Sequence, residues 1–203
     1  MKCEDCGKPV LPVVALDVDG VLSDYHGNFL RFAYRWLYRE WHNDVDYQGD
    51  EDLASCLGIT KETYRQIKLA YRQGGQKRFQ REIGNVRYLT RAINELGFDL
   101  WITTTRPYNK FDNTDPDTIS WLKYHEVDFR GLIYDDDKYK ILRSIVGQER
   151  IVMVVDDLKV NCIKARDLGL PTYQFLNNYN GRDHWDGPGF NRYSHIVKHL
   201  EAL

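Results

Sequence analysis

The chain has few cysteines and no long hydrophobic run, and both absences narrow what kind of protein it can be. Four cysteines among 203 residues are too few for a disulfide-stabilised scaffold and are typical of a reducing compartment. No apolar stretch approaches the roughly 20 residues that a membrane-spanning helix needs. The N-terminus also lacks the basic and apolar segments of a secretory signal peptide. We therefore expect a cytoplasmic protein without a membrane segment.

The chain also lacks a large excess of charge of either sign. Its formal net charge is -2, which argues against a protein that coats nucleic acid through bulk charge. The distribution is less even, because residues 61–91 carry nine Lys or Arg against two Glu. If this basic segment faces a cleft, it would suit an anionic ligand.

Short apolar or β-branched runs alternate with segments of helical spacing. Five of these runs predict buried strands, at 13–19, 98–103, 131–134, 151–156 and 172–176. Helices are predicted at 28–41, 61–73, 85–96, 138–146 and 158–168, with a further one opening at Asp115-Pro116. The alternation predicts an α/β protein with a Rossmann-like, mostly parallel sheet flanked by helices.

One long interval between the first and second strands contains only helical patterns. It predicts a helical cap over residues 26–84, inserted after the first strand. The α/β core would then comprise 13–25 and 85–203, preceded by a tail at 1–12. Residues 177–192 are rich in Asn and Gly and are expected to form a long loop.

Two carboxylates stand at the end of the first predicted strand. Asp17 and Asp19 are two residues apart in the sequence LDVDGVL, so a strand would point both to the same side. Ligands of open α/β sheets bind at this edge. A divalent cation, bridging to a substrate phosphate, would offset the repulsion between the two carboxylates.

The segment DVDGVL resembles the first motif of the haloacid dehalogenase-like phosphatase superfamily. The resemblance implies that Asp17 is the nucleophile that forms an aspartyl-phosphate, and that Asp19 is the general acid and base. Both roles are within the chemistry of carboxyl groups.

Two further motifs of that superfamily have counterparts in the chain. The second is a hydroxyl that binds the phosphoryl group, and the sequence TTTRP supplies Thr104, with Thr103 as the competing residue. The third is a lysine that holds the phosphate. Helical spacing favours Lys138 over Lys140, because Leu142 then lies on the inward face of the same helix.

An acidic pair follows the apolar run IVMVV and matches the fourth motif. The resemblance implies that Asp156 ligates Mg²⁺ and that Asp157 acts through water or orients the lysine. The expected metal site therefore draws on Asp17, Asp19, Asp156 and Asp157. The four motifs together cover the sheet region, roughly 10–25 and 85–176.

A narrower resemblance concerns the substrate. The helical cap, the aromatic after the first motif and the Asp137-Lys138 pair resemble the 5′(3′)-deoxyribonucleotidase branch. That branch would use Tyr25 as a stacking platform for the base.

Further candidate substrate contacts are Thr105, Arg106, Lys77 and Arg78. Asp136 and Arg106 depart from the branch pattern, so the preferred base and sugar stay open.

The pair Cys3 and Cys6 is spaced like half of a zinc knuckle. The sequence contains no second CxxC, so a zinc site would need histidines or a second chain. The alternative is a pair of free thiols in a frayed tail.

The sequence therefore predicts a Mg²⁺-dependent phosphatase that hydrolyses nucleoside monophosphates, a soluble hydrolase of nucleotide metabolism. One alternative has the same chemistry but acts on the phosphorylated end of DNA or RNA, with the basic 61–91 segment as the strand track. A second alternative is a non-catalytic module that binds metal or nucleotide. The oligomeric state stays open, with a dimer among the options.

Overall fold

The structure is a computed structural model that describes residues 10–40, 53–177, 179–180 and 185–203. Cys3 and Cys6, and with them the predicted zinc site, lie outside the described residues. Among the helices of the described ranges, none has the length and apolar character that a membrane crossing requires.

A parallel sheet forms the centre of the described chain. Its six strands are β1 Val13–Asp17, β2 Asp99–Thr104, β3 Gly131–Tyr134, β4 Ile151–Asp156, β5 Thr172–Phe175 and β6 Gly189–Phe190. Their order is β3-β2-β1-β4-β5-β6, and each neighbouring pair is parallel. The carboxyl ends of β1, β2 and β4 therefore meet at one edge of the sheet.

Eight α-helices occur in the described part of the chain. They are α1 Tyr25–Trp36, α2 Leu53–Cys56, α3 Lys61–Gln73, α4 Val86–Glu95, α5 Thr114–Tyr124, α6 Lys138–Val146, α7 Lys159–Asp167 and α8 Tyr193–Leu200. Two 3₁₀ turns, at Gln76–Phe79 and Gln148–Arg150, complete the described elements. The predicted α/β class and the Rossmann-like parallel sheet are confirmed.

The sheet is covered on both faces, which explains why its strands are continuous apolar runs. Along β1, Val14 and Leu16 belong to one hydrophobic cluster, whereas Val13 and Ala15 belong to the cluster on the opposite face. All four side chains are fully buried. A polar substitution at any of them would be costly, which leaves the strand ends as the place for charged groups.

Helices α1, α2 and α3 share a small hydrophobic core of their own. Phe29 and Leu30 of α1 pack with Leu53, Ile67 and Tyr71. Two polar caps fix where these helices begin: Asp24 accepts a hydrogen bond from the backbone N–H of Gly27, and Thr60 accepts one from Thr63. We propose that these helices form the predicted cap, although α1 begins at Tyr25 rather than near residue 28.

The structure differs from the prediction most at the end of β1 and within the predicted loop, whereas the bounds of β2 and β5 differ by a single residue. β1 ends at Asp17 instead of continuing to residue 19, because the chain turns at Gly20, whose φ is +94°. The predicted loop 177–192 contains β6, which pairs with β5. A strand of two residues is too short to give a recognisable hydrophobic pattern, so the sequence did not predict it.

Candidate active site

Three carboxylates converge at the carboxyl ends of β1 and β4. Asp17 is the last residue of β1, Asp156 is the last residue of β4, and Asp157 follows it. One oxygen from each lies within 4.8 Å of the others, and all three residues are buried. Asp19 is not part of this group, so the expected set of four carboxylate ligands differs from the observed cluster of three.

The residues of this cluster suit a divalent cation. Asp157 Oδ1 is buried and has no hydrogen-bond partner in the described part of the chain. A buried carboxylate oxygen without a partner is costly unless a ligand satisfies it. Oxygen ligands in this arrangement are those that Mg²⁺ prefers. The cluster can therefore hold a metal ion.

Lys138 connects the nucleophile candidate to the rest of the cluster. Its Nζ lies 2.7 Å from Asp17 Oδ1 and 2.7 Å from Asp156 Oδ2, and its side chain is buried. Burial lowers the pKa of Lys138, but Asp156 and Asp17 outweigh it and hold this pKa above its usual range. The competing candidate, Lys140, is exposed and lines a cavity between α6 and α7.

Burial governs the ionisation of Asp17 as well. Desolvation raises the pKa of Asp17 to about 7, with Lys138 opposing the shift and Asp156 adding to it. Desolvation, Asp156 and Asp17 also raise the pKa of Asp157 well above its usual range. A bound cation would favour the charged form of both carboxylates.

Asp156 is held by groups on three sides. Tyr139 of α6 donates a hydrogen bond to its Oδ2 at 2.5 Å, and Asn161 of α7 donates to both of its carboxylate oxygens. The backbone N–H of Leu158 donates to its Oδ1 at 2.9 Å. These contacts fix the carboxylate before any metal binds.

The two threonine candidates lie side by side at the end of β2. Thr103 is in register with Asp17, and its buried Oγ1 has no hydrogen-bond partner among the described residues. Thr104 Oγ1 accepts a hydrogen bond from the backbone N–H of Arg106 at 3.2 Å. Its own hydroxyl hydrogen stays available for a phosphate oxygen. Both hydroxyls can therefore donate a hydrogen bond to a phosphate oxygen.

Asp19 lies in a separate cluster of charges beside the carboxylate cluster. Arg106 contacts both of its oxygens, with Nη2 2.5 Å from Oδ1 and Nε 3.1 Å from Oδ2. Lys77 also forms an ion pair with Oδ2. Burial alone would raise the pKa of Asp19, but Arg106 and Lys77 outweigh it and hold this pKa well below its usual range. In this arrangement Asp19 is an anion.

Arg106 is fixed by several neighbours that sequence reasoning missed. Its Nη2 donates to Gln80 Oε1 at 2.5 Å, and its Nη1 donates to Thr118 Oγ1 at 3.0 Å. Gln80 Oε1 also accepts a hydrogen bond from Ser23 at 3.0 Å. Gln80 and Thr118 lie 26 and 12 residues from Arg106 and belong to no motif, so only the fold brings them to its side chain.

Tyr179 is a second contact that the sequence analysis did not include. Its hydroxyl donates a 2.6 Å hydrogen bond to Asp157 Oδ2, and its ring stacks on His26 with centroids 3.6 Å apart. A Cβ at Gly20 would lie 1.8 Å from the Tyr179 hydroxyl, so the motif glycine is needed for this approach. Its position in the sequence could have indicated this contact, because Tyr179 follows β5 and β5 is the neighbour of β4 in the sheet.

The predicted base platform, Tyr25, is packed within the helical unit. Its ring stacks on Phe29 with centroids 5.9 Å apart and meets the edge of Tyr71 at 5.8 Å. Lys77 Nζ lies 4.8 Å from its ring centroid. These neighbours occupy much of the ring surface that a base would need.

The remaining candidates for substrate contact differ in how deeply their side chains are buried. Lys77 is buried against Asp19, whereas Arg78 faces outward and pairs with Asp117 at 2.7 Å. Thr105 is partly buried. The structure thus brings Lys77 and Arg106 together and leaves Arg78 apart from them.

Comparisons with known proteins agree with this architecture. No family model matches the sequence. Similar solved structures include a haloacid dehalogenase-like hydrolase from Streptococcus pneumoniae (TM-score 0.61, 14% identity, 94% of this chain and 99% of that chain). Another is a HAD family hydrolase from Deinococcus radiodurans, solved with bound phosphate and sodium (TM-score 0.62, 15% identity, 96% and 98%). The chain has the haloacid dehalogenase-like fold. The resemblance stated from the motifs is therefore confirmed for the fold.

Two further similar proteins differ in their described substrates. A structure described as a predicted phosphoglycolate phosphatase from Haemophilus somnus matches with a TM-score of 0.64 and 15% identity over 95% of this chain and 99% of that one. A curated relative from Chlorobaculum tepidum, named "Putative 5'(3')-deoxyribonucleotidase", is 25% identical over 175 residues, which are 83% of this chain and 80% of the relative.

Proposed function

We propose that this protein is a divalent-metal-dependent phosphomonoesterase that uses Asp17 as its nucleophile. The observation that carries the proposal is the contact of Lys138 with Asp17 inside the buried carboxylate cluster. A cation and a carboxylate so placed can hold a phosphoryl group and attack it. The haloacid dehalogenase-like fold supports the same chemistry.

Asp17, Asp156 and Asp157 would hold the metal, and Mg²⁺ is the ion that their oxygens fit best. When bound, the ion would neutralise charge on the phosphate and on the carboxylates that surround it. Lys138 would orient an Asp17 oxygen, and Thr104 would donate its hydroxyl hydrogen to a phosphate oxygen. Residues at the ends of different strands would thus contact the same phosphoryl group.

The reaction would proceed in two displacements on phosphorus. Asp19 would first take up a proton from solvent. An Asp17 oxygen then forms a bond to phosphorus as the ester P–O bond breaks, and Asp19 gives that proton to the departing oxygen. Asp19 then takes a proton from the water that cleaves the aspartyl-phosphate. Because Asp19 is paired with Arg106 and Lys77 in this structure, that pairing must loosen when Asp19 carries a proton.

We propose a nucleotide as the substrate, with a nucleoside monophosphate as the first candidate. The deoxyribonucleotidase name of the 25% identical relative supports this choice. The helical unit of α1 to α3 would act as the cap that excludes water. Residues 26–84 would form this cap, and 13–25 with 85–203 would form the catalytic core.

A second candidate substrate is the phosphorylated end of a nucleic acid strand. The packing of Tyr25 against Phe29, Tyr71 and Lys77 favours it, because a free nucleoside depends on its base for binding. A strand has further phosphates through which it can bind.

Phosphate release from a panel of substrates tests the proposal. The panel contains nucleoside 5′- and 3′-monophosphates, phosphoglycolate and phosphorylated oligonucleotides, each with Mg²⁺ and with a chelator. Asp17→Asn should abolish turnover because an amide does not form the acyl-phosphate. Asp112→Asn, a change at an exposed aspartate, is the matched control. Full activity in Asp17→Asn, or activity that survives chelation, would overturn the proposal.

A further inference from the structure

The segment around the 3₁₀ turn Gln76–Phe79 has buried polar side chains on one side and exposed basic and aromatic side chains on the other. Lys77 and Gln80 are buried and face Asp19 and Arg106. Arg78, Phe79 and Arg81 are exposed on the other side. One short segment therefore separates the candidate active site from an outer basic and aromatic surface.

Two adjoining hollows open on that outer surface. The larger has a volume of about 750 Å³, and its lining includes Arg78, Phe79, Arg81 and Tyr124. The smaller has a volume of about 180 Å³ and is lined in part by Arg31, Arg35, Phe79 and Arg81. Because Phe79 and Arg81 line both, the hollows form one continuous surface, which we call the seam surface.

The seam surface carries an excess of positive charge. Four arginines line the two hollows, against a single carboxylate, Glu82. Within the described ranges, neither Arg35 nor Arg81 has a carboxylate within 4.0 Å, whereas Arg31 pairs with Asp24 and Arg78 pairs with Asp117. The two arginines without a carboxylate partner suit a repeating anion better than an uncharged ligand.

Aromatic side chains stand between these arginines. Phe79 is 72% exposed and Tyr124 is 81% exposed. Both rings are therefore accessible to a ligand on this surface. Exposed rings interleaved with arginines can stack on bases and bind phosphates of a single-stranded nucleic acid.

The backbone joins the seam surface to the catalytic loop. Asp24 donates its N–H to the carbonyl of Arg81 at 2.8 Å, and Ser23 forms a β-bridge with Glu82. Ser23 in turn lies four residues after Asp19 and donates to its Oδ1 at 3.1 Å. A strand on the seam surface would thus lie next to the segment that carries the general acid candidate.

We infer that the seam surface binds a single-stranded nucleic acid whose phosphorylated end enters the active site. The inference rests on the proposed phosphatase function and develops its second candidate substrate, the phosphorylated end of a strand. Binding would use Arg35 and Arg81 for backbone phosphates, with Phe79 and Tyr124 for stacking on bases.

Binding and turnover should be measured separately. The binding probe is a fluorescein-labelled oligo-dT of about 12 nucleotides, with and without a terminal phosphate, followed by anisotropy over a range of salt. The turnover substrates are the phosphorylated oligonucleotide and p-nitrophenyl phosphate. The variants are Arg35→Gln/Arg81→Gln and Phe79→Ala, with Arg91→Gln/Arg143→Gln as a control of equal charge change on other exposed helix faces.

We expect the Arg35/Arg81 variant to weaken oligonucleotide binding about tenfold or more and to flatten its salt dependence. Phe79→Ala should weaken oligonucleotide binding about fivefold or more, because the variant loses the ring on which a base would stack. In both, the loss of kcat/KM on the oligonucleotide should exceed that on p-nitrophenyl phosphate. The control variant should bind and turn over like the wild type.

Two outcomes would overturn the inference. One is that the wild type does not bind the oligonucleotide, or that the control variant loses as much affinity as the seam variants. The other is that an acidic peptide such as poly-glutamate competes as well as the oligonucleotide, which would indicate a protein partner. Binding is also measured with Asp17→Asn, so a failure of the phosphatase proposal is distinguished from a failure of the seam surface.

Discussion

The hydroxyl of Tyr179 donates a 2.6 Å hydrogen bond to Asp157 Oδ2, while Asp157 Oδ1 has no partner in the described ranges. One oxygen of this carboxylate is thus held by the protein and the other is left for a ligand. Asn180 and Gln174 donate to the backbone carbonyl of Asp157 at 2.8 and 3.0 Å, which fixes the residue further. Tyr179 therefore orients the Asp157 carboxylate within the cluster that could hold a metal ion.

Removing that hydroxyl should weaken metal binding more than it slows the bound enzyme. For Tyr179→Phe we expect the Mg²⁺ concentration at half-maximal rate to rise about tenfold, as for other groups that orient metal ligands. The rate at saturating Mg²⁺ should fall less. Mg²⁺ titrations of phosphate release measure both quantities.

Tyr173→Phe is the matched control, because it also removes one hydroxyl, from a contact with His199 at 2.8 Å. Equal Mg²⁺ dependence in the Tyr179 and Tyr173 variants would show that Tyr179 does not orient the metal ligand.

The sheet could be predicted because its strands are buried on both faces. β3 and β4 have the predicted bounds, since a parallel strand under helices is a continuous apolar run. The end of β1 could not be placed from periodicity, because the turn at Gly20 depends on its positive φ. The pattern of apolar residues does not report that angle.

The candidate site could be anticipated where a residue lies next to a regular element. Asp17 and Asp156 end strands, and Lys138 opens α6, so their convergence follows from the topology. Tyr179 and Gln80 lie in irregular segments, and their contacts arise from tertiary packing. The pairing of Asp19 with Arg106 likewise needed the fold, since 87 residues separate the two.

Asp19→Asn should destabilise the folded protein as well as slow the reaction. The change leaves the buried side chains of Arg106 and Lys77 without their anion. Loss of one partner from a buried ion pair costs about 3–5 kcal/mol. Lys77, whose pKa burial and Arg106 already lower to about 7, would lose the opposing effect of Asp19 and would ionise less. Chemical denaturation at neutral pH measures the change.

Asp117→Asn provides the comparison for Asp19→Asn. Asp117 is more deeply buried than Asp19, but its partner Arg78 is 41% exposed and can be solvated when the carboxylate is lost, whereas Arg106 and Lys77 are buried. We therefore expect a smaller loss of unfolding free energy for Asp117→Asn. A loss equal to or larger than that of Asp19→Asn would contradict the view that the Asp19 cluster is the buried, interdependent one.

Lys138→Met should reduce turnover by at least about a hundredfold, because the variant loses the cation that orients Asp17 and contacts Asp156. Lys140→Met removes the same group from an exposed position two residues away and should have little effect. If Lys138→Met does not fold, Lys138→Arg keeps the charge but changes its geometry, and kcat should still fall. Wild-type kcat in a folded Lys138 variant would remove this lysine from the mechanism.

The raised pKa of Asp17 predicts how stability depends on pH when divalent cations are removed. Because burial raises this pKa from 3.8 to about 7, the folded state binds a proton that the unfolded state has lost between these values. The contribution of Asp17 to stability is therefore largest at low pH and falls as pH rises from about 4 to about 7.

Asp17→Asn cannot ionise and should not show this fall. With a chelator present, the variant should gain stability relative to the wild type by more than about 1 kcal/mol between these pH values. Saturating Mg²⁺ should reverse the difference, because a cation that binds the ionised carboxylates stabilises the wild type. Urea denaturation of both proteins at a series of pH values tests this, with Asp112→Asn as the control. Parallel stability curves for the wild type and Asp17→Asn in chelator would show that burial does not control the ionisation of Asp17.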